Sequence, residues 1–151
     1  MPTIKRVDHL AIVVADLSRA LGFWRDALGL PLAGTETLPE QQAEVAFLPV
    51  GGSQIELVRP TDDQSGTARF LAKCGPGMHH VSFEVDDLAA VLLQLRARGV
   101  RLINEQPVAG AGGALVAFIH PESTGGVLVE LCQEIDRAHP SLTRPIVETI
   151  T

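Results

Sequence analysis

The stretch Val7-Asp8-His9-Leu10-Ala11-Ile12-Val13-Val14-Ala15-Asp16-Leu17 decides the fold, because the chain presents it twice. Its counterpart is Met78-His79-His80-Val81-Ser82-Phe83-Glu84-Val85-Asp86-Asp87-Leu88, which places His80 71 residues after His9. Each run reads as a strand ending at an aspartate. A helical period follows each one. Leu17, Leu21, Trp24 and Leu28 mark the first, and Leu88, Val91, Leu92 and Leu95 the second. Asp16 and Asp87 stand where a carboxylate accepts first-turn backbone N–H groups. Gly29 and Gly99 stand where a helix ends in positive φ. The spacing predicts helices over Leu17–Leu28 and Leu88–Arg98.

The repeat continues downstream. Gly51-Gly52-Ser53-Gln54-Ile55-Glu56-Leu57 resembles Gly125-Gly126-Val127-Leu128-Val129-Glu130-Leu131, and Ala46-Phe47-Leu48 resembles Ala117-Phe118-Ile119. Glu44–Val50, Gln54–Val58, Leu115–Ile119 and Val127–Cys132 read as short strands bounded by Gly or Pro. Breaks fall at Pro39–Gln42, Pro60–Gly66 and Gly110–Gly113, and Thr67–Lys73 reads as a short helix. Residues 137–151 have no clear period and read as a tail.

With 151 residues, the chain has the length of one domain and enough to bury a core. Twelve Lys and Arg against eighteen Asp and Glu leave a net charge of −6. That balance carries no electrostatic footprint for nucleic acid or an anionic membrane. No run approaches the ~20 apolar residues of a membrane helix. Two cysteines, Cys74 and Cys132, do not make a disulfide framework, and cytoplasmic residence is the expectation.

Neither copy of the repeat can bury a sheet face alone. Packed about a pseudo-two-fold, the two copies bring equivalent positions together: His9 and Glu56 from one, His80 and Glu130 from the other. A single strand histidine is more often a core or surface residue, and a single glutamate usually lies on a solvated face. Two of each at matched positions instead suit one divalent transition metal. His79 falls on the strand face opposite His80, His120 in a turn before Pro121, and His139 in the tail.

On these residues the chain resembles the vicinal-oxygen-chelate superfamily, which includes glyoxalase I, extradiol dioxygenases and bleomycin-resistance proteins. Within it the chain is most similar to the methylmalonyl-CoA epimerase family, from about Val7 to Gln133. Val7-Asp8-His9-Leu10-Ala11, Val45-Ala46-Phe47-Leu48-Pro49-Val50-Gly51, Ile55-Glu56-Leu57 and Gly77-Met78-His79-His80 carry the likeness. The most specific string is His120-Pro121-Glu122-Ser123-Thr124-Gly125-Gly126-Val127-Leu128-Val129-Glu130-Leu131.

The resemblance implies an α+β fold of two tandem βαβββ modules, forming one cupped mixed sheet around a metal. It implies a single domain over residues 1–136, with modules at about 5–72 and 76–134. It implies metal ligands His9, Glu56, His80 and Glu130, with Co the first choice of ion and Mn, Ni, Zn or Fe the alternatives. An acyl-CoA substrate and a homodimer follow from it as well, with no nucleic-acid or membrane partner. The activity implied is interconversion of (R)- and (S)-methylmalonyl-CoA. Two departures stand out. Glu122 replaces a common lysine. Val45 occupies the place of a carboxylate proposed as a base in some relatives, while Glu44 lies one residue earlier, which in a strand is the opposite face.

Inversion at a carbon α to a thioester requires proton removal on one face and return on the other. Glu130 is the first candidate base; for the opposite face the candidates are Glu44, if a bulge re-aims it, and a metal-bound or ordered water. Two other functions suit the same scaffold: a glyoxalase-type metalloenzyme acting on another substrate, and a metal-free small-molecule-binding protein of the resistance type.

Overall fold

A computed structural model describes residues 2–109 and 114–134 of the chain. The Gly110–Gly113 loop and the 137–151 tail lie outside the described residues. The elements run β1 (Ile4–Val13), α1 (Leu17–Leu21), β2 (Gly34–Leu38), β3 (Ala43–Val50), β4 (Ser53–Pro60), α2 (Gly66–Cys74), β5 (Gly77–Val85), α3 (Leu88–Ala97), β6 (Val108–Ala109), β7 (Leu115–Ile119) and β8 (Leu128–Gln133). Each repeat is thus βαβββ, with α2 between them, and the fold is α+β. Among the described residues, no helix is long and apolar enough to cross a membrane.

The chain divides into two compact units. One is His9–His79, and the other combines residues 2–8 with residues 80–134. β1 therefore gives its first half to one unit and its second half to the other. The strand order is β2-β3-β4-β1 in the first and β1-β5-β8-β7-β6 in the second.

In the His9–His79 unit, β2, β3 and β4 are antiparallel neighbours and β4 runs parallel to β1. Strand alternation sends Ala46, Leu48 and Leu57 to one face, where they bury Leu17 and Leu21 of α1. Leu48 and Leu57 are wholly enclosed, each stabilising the fold by about 1.5–3 kcal/mol. The alternate residues Ala43, Val45, Phe47 and Val58 form a second cluster on the face away from α1.

The other unit follows the same rule. β5 and β8 are parallel, while β7 is antiparallel to both β8 and β6. Val85, Ala117, Ile119 and Leu131 pack on Leu88, Val91 and Leu92 of α3. The chain start is tied in by Thr3 N–H, which donates to Asp86 Oδ1 at 2.7 Å, and by Asp86 N–H, which donates to Thr3 O at 3.2 Å.

The helix punctuation is as expected. Asp16 Oδ1 accepts from Arg19 N–H at 3.0 Å, and Asp87 Oδ1 from Ala90 N–H at 3.1 Å. Gly29 and Gly99 have φ of 90° and 78°. The first helix departs from the expected span of Leu17–Leu28. It is α-helical only through Leu21, and Gly22–Ala27 form π-helical turns, with Leu28 N–H bonded to Phe23 O at 2.8 Å. The wider turn shifts the phase of the apolar stripe. Trp24 still packs on the core, but Leu28 is 54% exposed instead of buried.

Candidate active-site residues

The ladder register explains how each unit builds an imidazole–carboxylate pair. In the parallel β1–β4 ladder, His9 stands opposite Gln54 and Ala11 opposite Glu56. His9 and Glu56 are therefore diagonal neighbours on one face. Their Nε2 and Oε2 atoms are 3.5 Å apart and both side chains are buried. Gln54 Nε2 donates to the other oxygen, Glu56 Oε1, at 3.0 Å. Phe47 of β3 stands directly opposite Glu56.

The second unit repeats the offset. In the parallel β5–β8 ladder, His80 stands opposite Leu128 and Ser82 opposite Glu130. His80 Nε2 lies 3.7 Å from Glu130 Oε2, again with both side chains buried. The Ser82 hydroxyl donates to Glu130 Oε1 at 2.8 Å and lies 3.7 Å from Cys132 Sγ. Phe118 of β7 stands opposite Glu130, and its ring meets His80 edge-on with centroids 5.8 Å apart.

In each unit the pair lies on the sheet face opposite the one that buries α1 or α3. A buried carboxylate is costly without a compensating partner. In each unit an imidazole nitrogen facing a carboxylate oxygen is a donor pair of the kind a divalent transition metal prefers.

The same face of β5 carries a third ionisable group, which sequence reasoning did not single out. Glu84 is buried and accepts from Arg6 Nε at 2.6 Å, and Arg6 also donates to Asp8 Oδ1 at 3.1 Å. Burial pulls the Arg6 guanidinium down. The Glu84 hydrogen bond and the Asp8 and Glu84 charges outweigh it and hold the group above the ordinary arginine value. The available signal was Glu84 two residues before the aspartate pair of the second repeat, together with the basic Arg6 two residues before Asp8 in the first.

The remaining candidates lie elsewhere. Glu44 stands opposite Arg59, which donates to its Oε2 at 2.8 and 3.2 Å. Alternation puts Glu44 with Ala46 and Leu48 on the α1 side of β3, and Val45 on the Glu56 side. His79 meets Phe70 edge-on at 4.9 Å. His120 caps the 3-10 turn Pro121–Ser123, its Nδ1 accepting from Glu122 N–H at 3.0 Å. Glu122 pairs with Arg101. His139 lies outside the described residues.

Residues 8–118 match the model of the Glyoxalase/Bleomycin resistance protein/Dioxygenase superfamily. A mouse protein named methylmalonyl-CoA epimerase, mitochondrial, is 40% identical over 85% of this chain and 72% of its own length. The chain belongs to this superfamily and, within it, to the methylmalonyl-CoA epimerase family. A second family member, the ethylmalonyl-CoA/methylmalonyl-CoA epimerase of Cereibacter sphaeroides, is 36% identical over 86% of this chain and 98% of its own. A solved methylmalonyl-CoA epimerase in complex with methylmalonyl-CoA and ammonium superposes with a TM-score of 0.80. It shares 33% identity with this chain and covers 91% of it and 100% of its own length.

Proposed function

We propose that this chain interconverts (R)- and (S)-methylmalonyl-CoA, with His9, Glu56, His80 and Glu130 holding one divalent metal ion. The observation that carries this reading is the duplicated pair. In each unit a buried imidazole Nε2 faces a buried carboxylate oxygen, at 3.5 Å in one and 3.7 Å in the other. Family membership supplies the substrate class, an acyl-CoA. Co is the first choice of ion, with Mn, Ni, Zn and Fe as alternatives of similar donor preference. Such an ion supplies Lewis-acid stabilisation of negative charge on a substrate carbonyl oxygen.

The chain's own groups handle the proton. Glu130 removes the α-proton on one face. Its Oε1 is the oxygen oriented by the Ser82 hydroxyl. Glu44 is turned to the other side of its strand and held by Arg59, so we assign the opposite-face proton to a water molecule. Enclosure of His9, His80 and Glu130 keeps bulk solvent from competing at these groups. A homodimer and a cytoplasmic location belong to the same proposal. Dimers are the commonest assembly, and two unbonded cysteines suit a reducing compartment.

Proton exchange tests the function directly. Metal-loaded protein is incubated with (R)-methylmalonyl-CoA in deuterated water, and the α-proton signal is followed by NMR. The expected result is loss of that signal together with appearance of the (S) form. Retention of the proton by fully loaded protein overturns the proposal. Isomerisation of a glutathione hemithioacetal instead would assign the scaffold to glyoxalase-type chemistry.

A further inference from the structure

The two site carboxylates are held alike by donors that do not correspond under the repeat. Glu56 Oε1 accepts from Gln54, two residues earlier on its own strand, at 3.0 Å. Glu130 Oε1 accepts from Ser82, its cross-strand partner, at 2.8 Å. The ladder registers make Leu128 the counterpart of Gln54, and Ala11 the counterpart of Ser82. Neither Leu nor Ala offers a side-chain donor. Each half has therefore reached the same result by a different route: Oε1 held by a neutral donor, Oε2 turned to the histidine Nε2.

A free carboxylate rotates about its last bond and exchanges its two oxygens. A hydrogen bond to one oxygen breaks that equivalence. The donors also differ in enclosure. Ser82 is completely buried, whereas Gln54 is only partly buried and brings a longer side chain. Fixing a long, partly exposed amide costs more rotamer entropy than fixing a buried hydroxyl.

We propose that Gln54 and Ser82 are positioning residues that select Oε2 of Glu56 and of Glu130 as the metal-facing oxygen. This rests on the reading of the two glutamates as metal ligands. Outer groups that orient a ligand typically change metal affinity by about 10–100-fold when removed. The tighter, buried grip of Ser82 places its loss towards the upper end of that range and the loss of Gln54 towards the lower end.

The test uses Co2+ alone as the probe, with affinity measured by chelator competition and the site monitored by Co2+ visible absorption. Wild type, Ser82→Ala, Gln54→Leu, Glu130→Gln and the Ser82→Ala/Glu130→Gln double variant are compared, with folding checked by circular dichroism. The expected result is that the two single donor variants fold, bind Co2+ about 10–100-fold more weakly and show altered absorption. The double variant binds no worse than Glu130→Gln, because Ser82 acts through Glu130. Wild-type affinity and spectrum in the folded donor variants overturn the proposal, as do additive losses in the double variant. Gln54→Leu alters a partly buried side chain, so it decides the matter even if Ser82→Ala fails to fold. Wild-type protein that binds no Co2+ overturns the metal reading itself and the proposal with it, an outcome distinct from intact binding insensitive to both donors.

Discussion

Phe47 and Phe118 hold the same place in the two repeats: each is the antiparallel cross-strand partner of a site glutamate, Glu56 for the first and Glu130 for the second. Both rings are buried. An aromatic wall beside a carboxylate excludes water from it and restricts the directions it can take. Phe118 also braces the His80 ring edge-on. Phe118→Ala is expected to destabilise the fold by about 3–5 kcal/mol, as aromatic-to-alanine changes in cores do. Denaturant unfolding measures this, and a loss below about 1 kcal/mol would contradict the packing role.

Glu44→Gln is expected to leave the epimerisation rate close to wild type, because Glu44 is held by Arg59 on the α1 side of β3. Glu130→Gln is expected to slow α-proton exchange by about 10²–10⁴-fold, the usual range for a lost acid or base. Measuring exchange in both variants checks the pair of assignments. Slow exchange in Glu44→Gln would make Glu44 the second base.

His80→Ala is expected to abolish tight metal binding while leaving a folded chain. The removed ring leaves Glu130 buried beside a void, and losing one partner of a buried polar contact costs about 1–3 kcal/mol. Elemental analysis of the dialysed variant and its thermal melt provide the two readouts.

The tie at the chain start depends on pH. The Thr3 N–H bond, followed by smaller backbone and Lys5 contributions, holds the Asp86 carboxyl below the usual aspartate range. A lowered folded value means the stabilisation is fully present above the unfolded aspartate pKa and lost as pH falls through the folded one. The Thr3 amide resonance should therefore titrate only in strongly acidic solution. A midpoint within or above the ordinary aspartate range would show that the bond does not form.

Residues 1–72 expressed alone are expected not to fold as a stable monomer. Arg6 and Thr3 in that fragment lose Glu84 and Asp86, and the remaining sheet is small. A cooperative melt from a monomeric fragment would contradict this.

The duplicated strand–Asp–helix pattern already contained the strand, helix and later strands of each half, both helix caps and the correspondence of His9 and Glu56 with His80 and Glu130, because these follow from local periodicity and from matching one half of the chain to the other. The full βαβββ order came from the family resemblance, since β2 and β6 carry no strand signal of their own. The orientation of Glu44 away from the site was legible as well, since strand alternation is a property of the backbone. The π-helical turns at Gly22–Ala27 were not. A stripe of Leu17, Leu21, Trp24 and Leu28 cannot reveal that the last turn widens and turns Leu28 outward.

Tertiary structure alone decided what stands beside each carboxylate. Gln54, Ser82, Phe47 and Phe118 are unremarkable in sequence and acquire their roles through ladder register, which pairs residues 48 positions apart in the case of Ser82 and Glu130. It likewise decided that Arg6 meets Glu84, and that the first half of β1 joins the strands of the second repeat. The reason is physical: periodicity reports which face a residue occupies, whereas its partner on that face depends on the alignment of a distant strand, which no local pattern encodes.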